Sequence, residues 1–387
     1  MNIFKKVLTA ITAVAVIVSL SAVAVSADSY PPEVSDVITE DVGITSVSAT
    51  KAQREQAQQI IADYIAKNIP NGIADVSKMD KVAAYVASFT YDKSNSDPYL
   101  MVLNGSGSDY ASAKLAVYML GEVGLTAKTR YAYSENEEIP MKTATSMVTT
   151  AVRLGDGSVY LLYIGGDVLG QKTFISQKLN SRFLYKEISK NKYAVYSWIQ
   201  FDDEVKGYDK ATKTVMNIPG YIDGHKIEVI AREFTRGCIG VSKVTIPNTV
   251  TEIQRGAFVY TKRIQSISIS SSVKTIAADV FSGNNCLKFT VDSNNKYFQA
   301  INGDLYSKDG KTLVSATGSS MTKIPSFVEV IGDDAFCGND HIVDITIPAT
   351  VKTISHAAFA SCDNLRNVII EGNGLTTVES RAFQTTK

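Results

Sequence analysis

Val244-Thr-Ile-Pro-Asn-Thr-Val-Thr-Glu-Ile-Gln-Arg-Gly-Ala-Phe258 recurs further along the chain as Ile345-Thr-Ile-Pro-Ala-Thr-Val-Lys-Thr-Ile-Ser-His-Ala-Ala-Phe359. Both stretches end on a phenylalanine that belongs to a series of six, spaced 24, 23, 55, 23 and 24 residues apart: Phe234, Phe258, Phe281, Phe336, Phe359 and Phe383. The longest separation equals one period of 23 residues plus an insert of 32 residues. A fixed period of this length predicts a solenoid, in which each repeat buries its apolar face against its neighbours.

Aliphatic residues keep the same period. One lies five positions before every phenylalanine, and a second lies twelve positions before most of them: Val229, Ile253, Ile276, Ile331, Ile354 and Val378, and Ile222, Ile246, Ile269, Ile324 and Ile347. The phenylalanines are therefore expected to anchor a continuous core, with about 1.5–3 kcal/mol gained for each ring buried. Solenoids offer extended binding surfaces, so this half of the chain is expected to hold a ligand rather than to transform one.

The repeated motif resembles the BspA-type leucine-rich repeats of bacterial surface and secreted proteins over residues 215–387. The resemblance implies a β-rich leucine-rich-repeat solenoid over residues 217–387. It also implies a protein or glycan ligand at a cell surface and no small-molecule cofactor. The equal numbers of basic and acidic residues argue against nucleic acid as a partner.

An insert, residues 289–320, is expected to interrupt the array. Within it, Lys308-Asp-Gly-Lys311 between two apolar runs predicts a β-hairpin. Asp292, Asp304 and Asp309 could suggest calcium, but the Asp-x-Asp-x-Asp loop ending in Glu is absent from the sequence. Turn chemistry is the preferred interpretation of these aspartates, and no metal site is predicted.

The N-terminus has the features of a targeting segment. Lys5 and Lys6 precede an apolar run over residues 7–25, and Ala27 ends a small-residue cleavage site. Residues 1–27 are predicted to be a signal peptide, with a retained membrane anchor as the alternative, and residues 28–50 a leader or linker. A secreted, extracellular and possibly cell-surface location follows.

Charge and cysteine content narrow the function. Lys plus Arg and Asp plus Glu both number 39, so there is no basic excess to neutralise a phosphate backbone. All four cysteines lie in the repeat half: Cys238, Cys286, Cys337 and Cys362. They are expected to be buried small residues beside the phenylalanines. A disulfide framework is the alternative in an exported protein.

Residues 51–205 predict a separate α+β domain, followed by a linker at 206–216. Three helices are expected: one around residues 57–65, one after Ser77 and one after Ser108. Strands are expected around residues 128–133, 146–154 and 159–164, the last two joined by an Asp-Gly turn.

The order of these parts resembles the transglutaminase-like, papain-related fold. Residues 80–92 are similar to the helix before its nucleophile loop, residues 105–111 to its Gly-x-Cys-x-x-Tyr-Ala loop, and residues 147–163 to its His and Asp strands. The alignment places Gly107, Met147 and Tyr163 where the Cys, His and Asp of the triad belong. Residues 30–215 contain neither Cys nor His, so the resemblance implies a degenerate domain without that chemistry.

The sequence therefore predicts a non-catalytic, secreted or cell-surface binding or adhesion protein that holds its ligand on the solenoid. It predicts no catalytic residue, no cofactor and no enzyme activity. The alternative is a hydrolase or acyltransferase with a non-standard site in residues 51–205. In that enzyme, Ser106 and Ser108 would be the candidates for the nucleophilic hydroxyl. A purely structural role for the chain is a third hypothesis.

Overall fold

The computed structural model describes residues 48–132, 147–166, 172–199, 201, 214–235, 238, 241–259, 261, 264–284 and 287–385. These residues form two compact units. The N-terminal unit contains the described residues up to Arg182 together with the segment that starts at Ile199. The repeat unit contains Phe183–Trp198 and the described residues after 205.

Among the described residues, the helices all lie in the N-terminal unit. They are α1 (Lys51–Asn68), α2 (Asp75–Ala87), α3 (Pro98–Asn104) and α4 (Asp109–Glu122), with the short parallel strands β1 (Thr90–Tyr91) and β2 (Ser106–Gly107) between them. None of these described helices combines the length and hydropathy that a bilayer span requires.

Side chains cap three of the four helices. Thr50 and Gln53 form a reciprocal capping box at α1, and Asp97 accepts hydrogen bonds from the backbone N–H groups of Tyr99 and Leu100 at α3. Ser108 accepts one from Ala111 at α4, as expected from the sequence. These caps satisfy N–H groups that the first helical turn leaves without partners.

An antiparallel sheet follows the helices. Its strands lie in sequence order: β3 (Thr126–Ala132), β4 (Met147–Arg153), β5 (Val159–Gly166) and β6 (Lys172–Leu179). Leu115 and Met119 of α4 share a buried core with Val152 and Leu162 of the sheet. The described part of this unit is thus α+β, with α4 packed on the sheet.

The repeat unit begins with a β-hairpin and continues as short parallel strands. Its first strands are β7 (Phe183–Ser189), β8 (Lys192–Trp198), β9 (Thr214–Asn217), β10 (Tyr221–Ile222), β11 (His225–Ile230), β12 (Val241–Thr245), β13 (Glu252–Ile253), β14 (Ser266–Ile269), β15 (Thr275–Ile276) and β16 (Lys288–Val291). Two ladders result, one in the order β9-β12-β14-β16 and one in the order β7-β8-β11-β13-β15.

The second group of strands starts in the insert. It comprises β17 (Phe298–Ile301), β18 (Asp304–Ser307), β19 (Thr312–Ser315), β20 (Val330–Ile331), β21 (Asp344–Ile347), β22 (Thr353–Ile354), β23 (Asn367–Ile370) and β24 (Thr377–Val378). The predicted hairpin at Lys308–Lys311 is confirmed, because β18 and β19 pair antiparallel around it. Since β19 then pairs parallel with β20, the insert begins a new ladder, β17-β18-β19-β20-β22-β24.

The phenylalanine anchors form two stacks inside the solenoid. All six are buried, and the ring centroids of Phe336 and Phe359 lie 4.8 Å apart, those of Phe359 and Phe383 5.2 Å apart. The turns of the third and fourth repeats meet although 55 residues separate their phenylalanines, because the Gly283 N–H donates to the Cys337 carbonyl at 3.1 Å. The insert therefore interrupts the ladders of short strands, whereas the turns that follow the phenylalanines remain hydrogen-bonded to one another across it.

Buried amides bind the turns together. The side-chain N–H of Asn284 donates to the carbonyls of Phe258 and Phe281, and that of Asn339 to the carbonyls of Ala316 and Ser319. A buried carbonyl without a donor is destabilising by about 1–3 kcal/mol. These asparagines, three positions after a repeat phenylalanine, thus satisfy backbone groups that the short strands cannot.

The three described cysteines, Cys238, Cys337 and Cys362, are buried, and Cys286 lies outside the described residues. Burial raises the pKa of the Cys337 thiol to about 12, and it raises the pKa of the Cys362 thiol as well. Because the thiolate is the reactive form, both side chains act as small apolar core residues.

Residues 183–198 fall within the first domain that the sequence predicts at 51–205, but they belong to the repeat unit. The reason is that their strand β8 pairs parallel with β11 of the first repeat. The predicted helix start at Ser77 is wrong, because α2 begins at Asp75 and Ser77 lies within it. Helix α3 is not among the three helices that the sequence predicts. The predicted signal peptide and most of the leader lie outside the described residues, as does most of the 206–216 linker.

Candidate functional site

The position aligned with a catalytic cysteine is occupied by a neighbouring side chain. Gly107 ends β2, just before α4, and a Cβ atom there would lie 2.7 Å from Cγ and 2.8 Å from Sδ of Met101. Contacts under 3.0 Å force atoms to move, and Met101 is fully buried. Met101 therefore occupies the space that a residue-107 side chain would need.

The other two aligned positions lie on the sheet. Met147 is the first residue of β4, where its backbone pairs with Ala132, and Tyr163 is a buried residue of β5 that pairs with Ile175. Tyr163 carries a phenol where the alignment expects a carboxylate. The sheet register pairs neither position with the other.

The hydroxyls flanking Gly107 have structural partners. Ser108 caps α4, and the Ser106 hydroxyl lies 3.4 Å from the Asp92 carboxylate. Asp92 also accepts hydrogen bonds from the backbone and hydroxyl of Ser94, which hold its pKa below the ordinary value. A carboxylate whose charged form is stabilised in this way is a poor general base for Ser106.

The repeat unit presents polar rows on its longer strands. In the ladder β12-β14-β16, register aligns Lys243 with Ser266 and Lys288. A second row two residues further on aligns hydroxyl side chains, and the Thr290 hydroxyl donates to that of Ser268 at 3.0 Å. The residues of both rows are exposed or half-buried, whereas Val244, Ile267 and Phe289 between them are buried, so the rows face away from the core.

A cleft of about 490 Å³ opens where the insert interrupts the array. The name insert cleft denotes this opening, whose polar and aromatic lining includes Lys288, Asn302, Asp304, Ser319, Lys323 and Phe327. Ladder β9-β12-β14-β16 ends at Lys288's strand, and the remaining lining comes from the insert and the segment that follows it.

A buried carboxylate lies in the wall of the insert cleft. Asp304 is only 4% exposed, its Oδ2 accepts a hydrogen bond from the Ser319 hydroxyl at 3.1 Å, and its Oδ1 has no hydrogen-bond partner among the described residues. Burial raises the pKa of this carboxyl, and the charge of Lys288 opposes that rise. An unsatisfied buried oxygen is costly, so a donor that reached Oδ1 from the cleft would be stabilising.

Two lysines and an aromatic ring complete the insert cleft. The stem of Lys288 crosses Gly303, where a Cβ atom would lie 2.6 Å from Lys288 Cδ. Lys323 forms an ion pair with Glu371 at 2.7 Å. Phe327 is 45% exposed although its ring packs 5.6 Å from that of Tyr306.

Sequence patterns found only part of this site. Asp292 and Asp309 accept local backbone hydrogen bonds, as the turn interpretation expected, but Asp304 is the first residue of β18 and lies in a buried environment. The usable signal was Asn302-Gly303, an Asn-Gly pair with φ of 54° and 89° that makes a two-residue hairpin between β17 and β18. That hairpin would have placed Asp304 on a strand rather than in a turn.

Family comparison agrees with the periodicity of the repeat unit. Residues 222–307 and 314–387 match the family model for the BspA type leucine rich repeat region, in six copies. The repeat unit therefore contains the BspA-type leucine-rich repeats that the sequence predicts. None of the curated protein sequences matches this chain.

Several solved structures are similar to the chain. A leucine rich cell surface protein from Faecalibacterium prausnitzii is 24% identical, with 44% of this chain and 50% of that chain covered and a TM-score of 0.35. A leucine-rich repeat protein from Bacteroides ovatus is 25% identical (49% and 40% covered, TM-score 0.29), and one from T. pallidum is 17% identical (49% and 83% covered, TM-score 0.28). The chain spans about half the length of the F. prausnitzii protein.

Proposed function

We propose that this chain is an exported, non-catalytic binding protein that holds a ligand of the cell surface or its surroundings on the repeat unit. The observation that carries the proposal is the insert cleft, where a buried carboxylate oxygen lacks a partner among the described residues. The positively charged and apolar N-terminal run supports export, and BspA-type repeats support binding or adhesion.

The N-terminal unit, in this proposal, is a transglutaminase-like fold that has lost its catalytic groups. Helix α4 packed on an antiparallel sheet, with Gly107 directly before the helix, supports the likeness. The space beside Gly107 is filled by Met101, which argues against a thiol nucleophile there. The unit would serve as a folded support rather than as an enzyme.

Binding by the full mature chain tests the proposal. Surfaces coated with type I collagen, with mucin or with purified bacterial cell walls serve as probes in biolayer interferometry. We expect saturable binding to at least one surface, weakened by Phe327→Ser in the insert cleft and unchanged by Ser106→Ala in the N-terminal unit. Loss of binding in Ser106→Ala alone would place the functional site in the N-terminal unit and contradict the proposal.

The enzyme alternative has its own test. The mature chain should incorporate no monodansylcadaverine into casein and hydrolyse no peptide amide. Gly107→Cys should remain inactive, because residues 30–215 supply no imidazole, and should lower stability by about 1–3 kcal/mol through overpacking against Met101. Turnover in either protein that survives alkylation of thiols would establish the alternative.

A further inference from the structure

We propose that the insert cleft is a binding site for a neutral saccharide. This inference rests on the proposed function and specifies its ligand class. Three observations carry it: the mixture of donors and acceptors around the cleft, the balance of its charges, and the exposed face of Phe327.

The polar groups of the insert cleft require a ligand that both donates and accepts hydrogen bonds. Asp304 Oδ1 can only accept when the carboxyl is ionised, whereas the ammonium groups of Lys288 and Lys323 can only donate. Ser319 and the Asn302 amide can do both. A sugar hydroxyl donates one hydrogen bond and accepts two, so adjacent hydroxyls on one ring can satisfy the carboxylate and an ammonium at once.

The charges of the insert cleft disfavour ionic ligands. A cation drawn to Asp304 would approach the ammonium of Lys288, which already interacts electrostatically with that carboxylate. An anion drawn to Lys288 would face Asp304, whose side chain is almost fully buried. Lys323 is partly neutralised by its ion pair with Glu371 at 2.7 Å. A polar ligand without net charge meets neither repulsion.

The aromatic ring supplies an apolar contact of the kind that sugar rings use. Phe327 is 45% exposed and packs against Tyr306, which is fully buried. Gly310 also packs closely against the ring, because a Cβ atom on Gly310 would lie 3.3 Å from Phe327 Cδ2. The negative face of an aromatic ring attracts the weakly positive C–H groups of a pyranose. The fixed ring therefore acts as a platform beside the polar wall.

Isothermal titration with purified polysaccharides tests the inference on the full mature chain. The neutral probes are dextran, yeast mannan and galactan, and the charged probes are heparin and hyaluronan. We expect one neutral probe to bind. Phe327→Ser should weaken that binding at least about tenfold, equivalent to about 1.4 kcal/mol. Asp304→Asn, which keeps the shape and an acceptor for Ser319, should weaken it at least about fivefold.

Tyr297→Ser is the matched control, because Tyr297 is an aromatic residue of the insert with the same 45% exposure as Phe327 but lies outside the cleft lining. It should change affinity less than about twofold, and thermal melting should show that all three variants are folded. Binding of only the charged probes, or equal losses in Phe327→Ser and Tyr297→Ser, would overturn the inference. If no polysaccharide binds but collagen does, the saccharide site is wrong and the proposed binding function stands. If nothing binds, both fail.

Discussion

At the scale of single residues, stability of the repeat unit depends on the phenylalanine stacks. Phe359 is fully buried, and its ring lies between those of Phe336 at 4.8 Å and Phe383 at 5.2 Å. Phe359→Ala should lower the free energy of unfolding by about 3–5 kcal/mol, because it opens a cavity between two stacked rings. Urea denaturation measures the loss. Phe327→Ala, at an exposed ring, should stay within about 1 kcal/mol, and a similarly small loss at Phe359 would contradict the core assignment.

Asp334 predicts a pH dependence. Burial, and the charges of Asp279 and Asp333, raise the pKa of its carboxyl to about 6 from an ordinary value of 3.8, although His356 and Arg255 lower it. The folded state thus holds a proton that the unfolded state releases between these two values. The destabilisation is absent below about pH 4, grows up to about pH 6 and stays constant above.

Asp334→Asn should therefore stabilise the protein at pH 7.5 by about 1–2 kcal/mol after allowance for solvent screening, and by nothing at pH 3.5. Asn suits the position because the backbone φ there is 54°, a conformation that Asn tolerates. Thermal melting of both proteins across this pH range gives the difference. A stabilisation that is equal at both pH values would show that the carboxyl does not titrate as described.

The repeated residues were predictable from sequence, whereas the cleft residues were not. A solenoid places equivalent positions in equivalent environments, so spacing alone identifies the six phenylalanine anchors as core residues. Asp304 occurs once, in an insert without a repeat. Its carboxylate interacts with Ser319 and Lys288, which lie 15 and 16 positions away in the sequence, and no repeated spacing indicates that these residues meet.

At the scale of elements, the hairpin β7–β8 covers the first repeat. It adds β8 to the parallel ladder beside β11, and the ring of Phe183 stacks 6.3 Å from that of Phe234. Terminal repeats need such a cover because their outer apolar face has no neighbouring repeat. The periodicity of the sequence did not indicate this hairpin, because its two strands carry no copy of the repeat motif.

The hairpin should therefore be required for the stability of the repeat unit. Val195 is fully buried on β8 and pairs with Ile230, so Val195→Asp places an unpaired charge in the core and should lower the melting temperature by more than about 10 °C. Ile188→Asp, at a 38% exposed position on β7, is the matched control and should have little effect. If Val195→Asp melted at the same temperature as the unchanged protein, the hairpin would not be part of this unit. A fragment starting at residue 215 lacks the hairpin and should aggregate.

At the scale of the whole molecule, charge is balanced. Lys plus Arg and Asp plus Glu both number 39, and the repeat unit contains ion pairs between residues far apart in sequence, such as Lys352 with Glu329 and Lys192 with Glu252. Association driven by opposite surface charges speeds encounter and weakens steeply with ionic strength. A chain without net charge gains little from that effect at long range.

Ligand binding should consequently depend only weakly on salt. For whichever surface or polysaccharide the mature chain binds, raising NaCl from 50 to 500 mM should change the dissociation constant less than about threefold. Salt mainly weakens interactions between exposed charges that lie farther apart than the Debye length, which is about 10 Å at 0.1 M. The hydrogen bonds and aromatic contact proposed at Asp304 and Phe327 act at short range and are screened little. Titration at four salt concentrations measures the slope. A decrease in affinity of a hundredfold or more would show that surface charge, rather than the insert cleft, holds the ligand.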